Sequence, residues 1–235
     1  MAIEELASPP SRRGRLNRER VVSAAIALAD ENGAEALSMR RLAQDLGVVP
    51  MALYKHVSDK DELLDAMIDA VFSRVAPPEP GAGWQAALRA TILSARAALL
   101  RHPWAGQVIQ SRTAPTPAIQ AHMDAIIGIF RRGGFSIELI HHLMHTLGSR
   151  VLGFSQELDM FQVPRDAAGN PVLPPPDASG RYPNATALVT AVTHDGKSVV
   201  GDGCDDQLEF EFALDFILDG IERLRAADEA GRGAA

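Results

Sequence analysis

The sequence predicts an all-α protein, with an N-terminal three-helix head carrying a helix-turn-helix and a larger helical domain behind it. Three observations lead there. Apolar residues recur at helical spacing through most of the chain, as in Val22, Ala25, Ile26 and Ala29 or Leu88, Ile92, Ala95 and Leu99. Helix-capping residues and Gly or Pro terminators bracket those stretches: Asn17 with Gly33, Ser38 with Gly47, Ser136 after Gly133-Gly134. Finally, the composition changes once, at VAPPEPGAGW, residues 75–84, where three prolines and two glycines must end a helix and mark a domain boundary.

At 235 residues, 46% hydrophobic and 23% charged, the chain is long enough for a small and a medium domain, each with its own core. Residues 1–15 hold Pro9, Pro10, Arg12, Arg13 and Arg15 without apolar periodicity and read as a disordered basic tail. Such a tail can follow phosphates or a minor groove, or simply stay solvated. Residues 16–76 form the head. Its first helix runs from Asn17 to about Asn32, and Ser38 caps a second. Gly47 supplies the turn, Pro50 opens a third helix to about His56, and Ser58 with Asp61 is expected to cap a fourth, buried through Leu64, Ile68, Val71 and Val75.

The segment Ser38–Lys60 is therefore a helix-turn-helix. Only three lysines occur in the chain, against twenty arginines, and Lys55 and Lys60 both lie here beside Tyr54 and His56. Those side chains can donate to phosphates while the start of the helix meets base edges; the alternative is a structural hairpin with solvated charges. Charge supports the first reading. The net charge is −7, yet residues 11–60 hold nine basic against six acidic side chains, and the remainder 14 against 24. A basic head on an acidic body directs the head to DNA and repels DNA elsewhere.

The second domain spans residues 83–227. A helix from Trp84 to Arg101 is followed by a short one to about Gln110, then Pro115–Arg132 with Ile119, Met123, Ile126, Ile127 and Phe130 on one broad side. A long helix over 136–158 and a last one over 206–227 each carry two apolar faces, the latter with Phe210, Leu214, Ile217, Ile221 and Leu224 on one side and Phe212 and Phe216 on another. Two such helices need more partners than one subunit offers, so a homodimer through a four-helix bundle is expected; internal cover is the alternative. Residues 161–205, rich in Pro and Gly, form a long loop of functional or disordered character.

The pattern S-M-R-R-L-A-Q-D-L-G-V-x-x-x-x-L-Y-x-H-V-x-x-K-x-x-L-L, Ser38–Leu64, resembles the DNA-binding signature of the tetracycline-repressor (TetR) family of bacterial one-component regulators. The likeness continues through Gly83-Trp84-Gln85, Ala98–His102, Gly134-Phe135-Ser136 and Phe210–Glu222, and so covers roughly residues 17–226. It implies a homodimeric, ligand-responsive repressor of a palindromic operator. By position, Arg40, Pro50, Met51, Ala52 and Lys55 would face bases, and Ser38, Tyr54, His56 and Lys60 phosphates, His56 being equally suited to packing. Where tetracycline-binding members hold drug and magnesium, this chain has Ala76, Thr91, Ala95 and Ile109, so that complex is not expected to bind. The corresponding cavity would be more apolar, lined by Ile92, Trp104, Ile109, Arg112, Ile127, Met144 and His145, and suited to a small, largely hydrophobic effector.

Other chemistry is thinly represented. His141, His142 and His145 form HHLMH, with 141 and 145 on one helix face, but without a third ligand they predict no metal site. An all-α enzyme using these histidines as acid and base on a hydrophobic molecule is the alternative function, and an adaptor binding protein through the head a third. No cofactor motif is present, Cys204 has no basic neighbour, and no signal core or membrane-length apolar run occurs, which predicts a cytoplasmic protein without cofactor or metal.

Overall fold

The computed structural model describes residues 15–77, 79, 81–153, 181–184, 187 and 206–233. The tail before Arg15, most of the 161–205 loop, Phe154, Leu158 and Cys204 lie outside the described residues. Among those described, nine α-helices and no strand occur. They are α1 (Arg18–Asn32), α2 (Met39–Leu46), α3 (Pro50–Leu53), α4 (Lys60–Phe72), α5 (Trp84–Arg101), α6 (Trp104–Ser111), α7 (Pro117–Arg132), α8 (Ile137–Gly153) and α9 (Asp206–Gly233), with a 3-10 turn at Ala34–Ala36. The chain divides into two compact units, Met1–Val75 with Ala98–Ala121, and Ala76–Ala97 with His122–Ala235, the division falling within α5 and within α7. Residues 98–121, expected with the second domain, thus pack with the head.

The first unit is built as its caps dictate. Asn17 Oδ1 accepts from the Arg20 amide (2.9 Å) and Gly33 takes φ 79° to end α1. Ser38 Oγ accepts from the Arg41 amide (3.2 Å) to start α2. Gly47, at φ 67° and ψ 37°, closes α2 as a Schellman turn: its amide donates to Gln44 O and that of Val48 to Ala43 O (2.9 Å). Val49 is extended, as a residue before proline must be, and Pro50 opens α3. This helix is a single turn ending at Leu53 rather than reaching His56. Leu42, Leu53, Val57, Leu63 and Met67 fill the core beneath it.

The cap of α4 lies one residue later than the sequence suggests. Asp59, not Ser58, accepts from the Glu62 amide (2.8 Å), and the Glu62 carboxylate reaches back to the Ser58 amide. A carboxylate is the stronger acceptor for an orphan amide, and Asp61 is left free to turn elsewhere. Burial on α4 is also broader than one stripe. Leu63, Met67 and Phe72 are buried with Leu64, Ile68 and Val71, because α1 and α6 both pack on this helix, while Val75 lies past its end.

In the second unit, Leu88, Ile92, Ile129, Phe130, Phe135, Ile140, Leu143, Leu147, Phe210, Leu214, Leu218 and Ile221 form one core. Trp84 and Phe130 each meet Phe135 edge-on, with ring centroids 4.9 and 5.0 Å apart. Gly133 admits this cluster, since a Cβ there would stand 3.0 Å from Trp84 Cβ and Phe135 Cε2. Arg89 bridges to Glu211 and Asp215 (both 2.7 Å), which joins α5 to α9 and holds the guanidinium well above its usual pKa. Two expectations shift here. Met123 is exposed while Ile129 is buried, and Leu218 takes the inward place expected of Leu224, which is exposed. Helix α9 also runs on to Gly233.

Candidate nucleic-acid interface and effector hollow

A one-turn α3 buries Leu53 and presents almost everything else. Met51 is 73% exposed and Val49 68%, far above what isolated surface apolar groups require in so short a stretch. Ser38, Arg40, Pro50, Tyr54, Lys55 and Lys60 are exposed as well, and Ala52 and His56 are half-buried. The Ser38 oxygen caps α2, which leaves its proton for an outside acceptor. Val49 completes an apolar patch with Pro50 and Met51 that sequence reasoning passed over, although its place beside the helix start was visible.

This surface is held from behind by charge. Arg18 Nη1 donates to the His56 carbonyl (2.7 Å) and to Glu62 Oε1 (2.6 Å), tying the start of α1 to the residues that follow α3. The Ser58 backbone amide and then Arg18 lower the Glu62 carboxyl to about 2. Arg41 donates to Asn32 (2.9 Å), which fixes α2 against the end of α1. Each of these bonds positions α3 without using its outward side chains.

A second feature of the same unit lies where α6 meets α1 and α4. Asp30 Oδ1 accepts from Trp104 Nε1 (2.7 Å) and stands 2.8 Å from His102 Nδ1, with both aromatic residues buried. Arg112 Nη1 donates to Asp61 (3.0 Å), its Nε lies 3.5 Å from Asp65, and Asp69 accepts from the Ala118 amide (2.9 Å). Beside these contacts opens a hollow of about 150 Å³, lined mainly by Ile68, Ile109, Arg112, Pro115, Thr116 and Ile119.

Of the seven residues expected around an effector cavity, Ile109 and Arg112 line this hollow. Trp104 does not, because a buried indole N–H needs an acceptor and Asp30 provides it. In the second unit Ile92 is 1% exposed within the core, Ile127 and Met144 pack against that core, and His145 is exposed on α8. Thr116 and Asp30 escaped the sequence reading, and His102 entered it only as the end of the Ala98–His102 stretch. Thr116 precedes the proline that opens α7, a capping position that was its one local signal.

Among the described residues no group of three or more His, Cys, Asp or Glu is placed to hold a metal ion. His141, His142 and His145 are exposed on α8, their rings stacked edge-on. No described helix is long and apolar enough to cross a membrane.

Comparison with known proteins decides what the head belongs to. The family described as "Bacterial regulatory proteins, tetR family" matches residues 21–67, and "Tetracyclin repressor-like, C-terminal domain" matches residues 77–225. The chain belongs to the TetR family of bacterial transcriptional regulators. It is 36% identical to the HTH-type transcriptional repressor DrrR1 of Streptomyces coeruleorubidus over 90% of this chain and 79% of that one. It is 34% identical to the class D tetracycline repressor of Escherichia coli over 68% and 76% of the respective chains. Among solved structures, the TetR family protein ActR of Streptomyces coelicolor, in complex with (S)-DNPA, superposes with a TM-score of 0.65 at 25% identity, covering 90% of this chain and all of that one. The relatives are transcriptional regulators, so the enzyme alternative is set aside, and this TetR-family chain is a ligand-responsive transcriptional repressor.

Proposed function

We propose that this TetR-family regulator binds a palindromic operator as a homodimer and leaves it when a small, largely apolar effector occupies the α6–α7 hollow. The exposed, rigidly backed surface of α3 carries the reading. Arg40 and Lys55 can donate to guanine O6 and N7. Pro50, Met51 and Ala52, with Val49, offer apolar contact to thymine methyl groups. Ser38, Tyr54, Lys60 and, in its half-buried place, His56 suit phosphate oxygens.

The second copy is assigned to the open face of α9. Leu208, Phe212, Phe216 and Leu224 are exposed there, as is Ile137 at the start of α8. A two-fold pairing of these helices would bury them and present two α3 helices to successive major grooves about 34 to 36 Å apart.

Release is assigned to the contacts of the hollow. Arg112 grips Asp61 and Asp65 in the first turns of α4, the helix that follows the reading surface. A ligand that displaces the segment bearing Arg112 shifts α4, and the spacing of two paired heads changes with it. Tetracycline with magnesium is not the expected effector. Ala76, Ala95 and Ile109 offer no ligand atom for a hard cation, and Thr91, 2% exposed with its hydroxyl donating to the Ala87 carbonyl (2.8 Å), would supply one oxygen at most.

Selection of binding sites from a random DNA pool tests the reading. The expected result is an inverted repeat bound with an affinity that falls as salt rises. Enrichment of no palindrome would sink it.

A further inference from the structure

The hollow beside α6 also specifies what kind of molecule fits it, an inference that rests on the proposed effector role. Its walls are mostly apolar, from Ile68, Ile109, Pro115 and Ile119, and its polar side chains include Arg112 and Thr116. Thr116 is 6% exposed, and its hydroxyl has no hydrogen-bond partner in the protein. Arg112 Nε is buried and makes no hydrogen bond, but it faces Asp65 Oδ1 at 3.5 Å as an ion pair, and Asp61 holds the same guanidinium through Nη1. Buried polar groups are almost always paired, and leaving a donor unpaired is costly. The partnerless Thr116 hydroxyl, on the same wall as a guanidinium, marks a place built for an acceptor from outside the chain.

We infer that this hollow takes a small, uncharged, largely apolar molecule bearing one carbonyl-type oxygen, which accepts hydrogen bonds from the Thr116 hydroxyl and the Arg112 guanidinium. The size follows from the volume: an apolar cavity of about 150 Å³ holds a benzene ring. The absence of charge follows from the surroundings. Arg112 already faces Asp61 and Asp65, and Asp69 lies one turn further along α4 with one oxygen on the Ala118 amide. An anionic ligand would set a third carboxylate against one guanidinium, whereas a neutral carbonyl satisfies the Thr116 hydroxyl without that repulsion. A purely hydrocarbon ligand would fill the same space and leave the Thr116 hydroxyl unpaired.

The test uses the full chain and three probes of nearly equal size: acetophenone, ethylbenzene and benzoate, each titrated calorimetrically and by thermal stabilisation. Acetophenone is expected to bind about tenfold or more tightly than ethylbenzene, as one net hydrogen bond requires, and more tightly than benzoate. Thr116→Val, close in volume to the original, should bring acetophenone down towards ethylbenzene, and so should Arg112→Lys, which keeps the charge but loses the planar fork. Ethylbenzene binding as well as acetophenone, benzoate binding more tightly, a preference that survives both variants, or no binding by any probe would each overturn the inference. Operator selection on the same preparations separates this from the broader reading: palindrome binding without carbonyl preference refutes the ligand class alone, whereas no palindrome refutes the regulator reading itself.

Discussion

Replacing Phe212 and Phe216 together by serine tests the dimer most directly. The two rings stand one turn apart on α9 and are 63% and 68% exposed, so each has about two-thirds of its surface left to bury. Complete burial of a Phe side chain is worth roughly 1.5–3 kcal/mol, which makes the remaining share about 1.3 kcal/mol per ring and about 5 kcal/mol for the four rings of a symmetric pair. Association costs and imperfect fit remove part of that, and about 3 kcal/mol lost still corresponds to a dissociation constant raised roughly a hundredfold. Sedimentation velocity across a concentration series should show the wild-type dimer persisting at concentrations where the double variant is monomeric. Because neither ring belongs to the core, circular dichroism should be unchanged. A double variant that dimerises as tightly as wild type, or a wild type that is monomeric throughout, would refute the assignment of this face.

Three further outcomes are expected. Tyr54→Phe and Lys60→Ala should weaken operator binding without changing which sequence is preferred, and Lys60→Ala should reduce the salt slope by about 1 in a filter-binding series. Glu62 has a folded-state pKa of about 2 against an ordinary 4.5, so its contribution to stability is present above pH 4.5 and lost as pH falls towards 2. The stability gap between wild type and Glu62→Gln, measured by urea unfolding, should accordingly be full at neutral pH and shrink below pH 4.5; a constant gap would contradict the Arg18 and Ser58 contacts. Gly133→Ala should cost about 1–3 kcal/mol by overpacking, because its Cβ meets the backbone-proximal carbons of Trp84, which cannot swing aside.

Local chemistry made much of this protein legible in its sequence. Asn17, Ser38 and Gly47 do in the fold what their types require at those positions, and Leu42, Leu53 and Val57 mark the inward side of the hairpin. The exposure of Pro50, Met51, Tyr54 and Lys55 was legible too, because Leu53 and Val57 at helical spacing point inward and leave their neighbours outside, although the early end of α3 at Leu53 was not. The partnership of residues 98–121 with the head was not. It depends on pairs 49 to 74 positions apart, such as Ala118 with Asp69 and Trp104 with Asp30, and no periodicity encodes which carboxylate a distant donor will find. Trp104 read as a pocket residue because its indole looked apolar, whereas its buried N–H decided its place. Thr116 was invisible for a different reason, since lacking a partner is a property of surroundings and not of a residue.

The contacts between the head and residues 98–121 bear on how such proteins can be recombined. Acidic side chains on α1 and α4 (Asp30, Asp61, Asp65 and Asp69) meet donors from the later segment: Trp104, His102, Arg112 and the Ala118 amide. The head is thus no detachable cassette. A chimera cut at the proline-rich linker alone would mate one parent's carboxylates with another parent's donors, leaving buried groups unmatched. Transplanting binding specificity between relatives should succeed when both halves of this lock travel together, even though more than twenty residues of the chain separate the end of α4 from the start of α6.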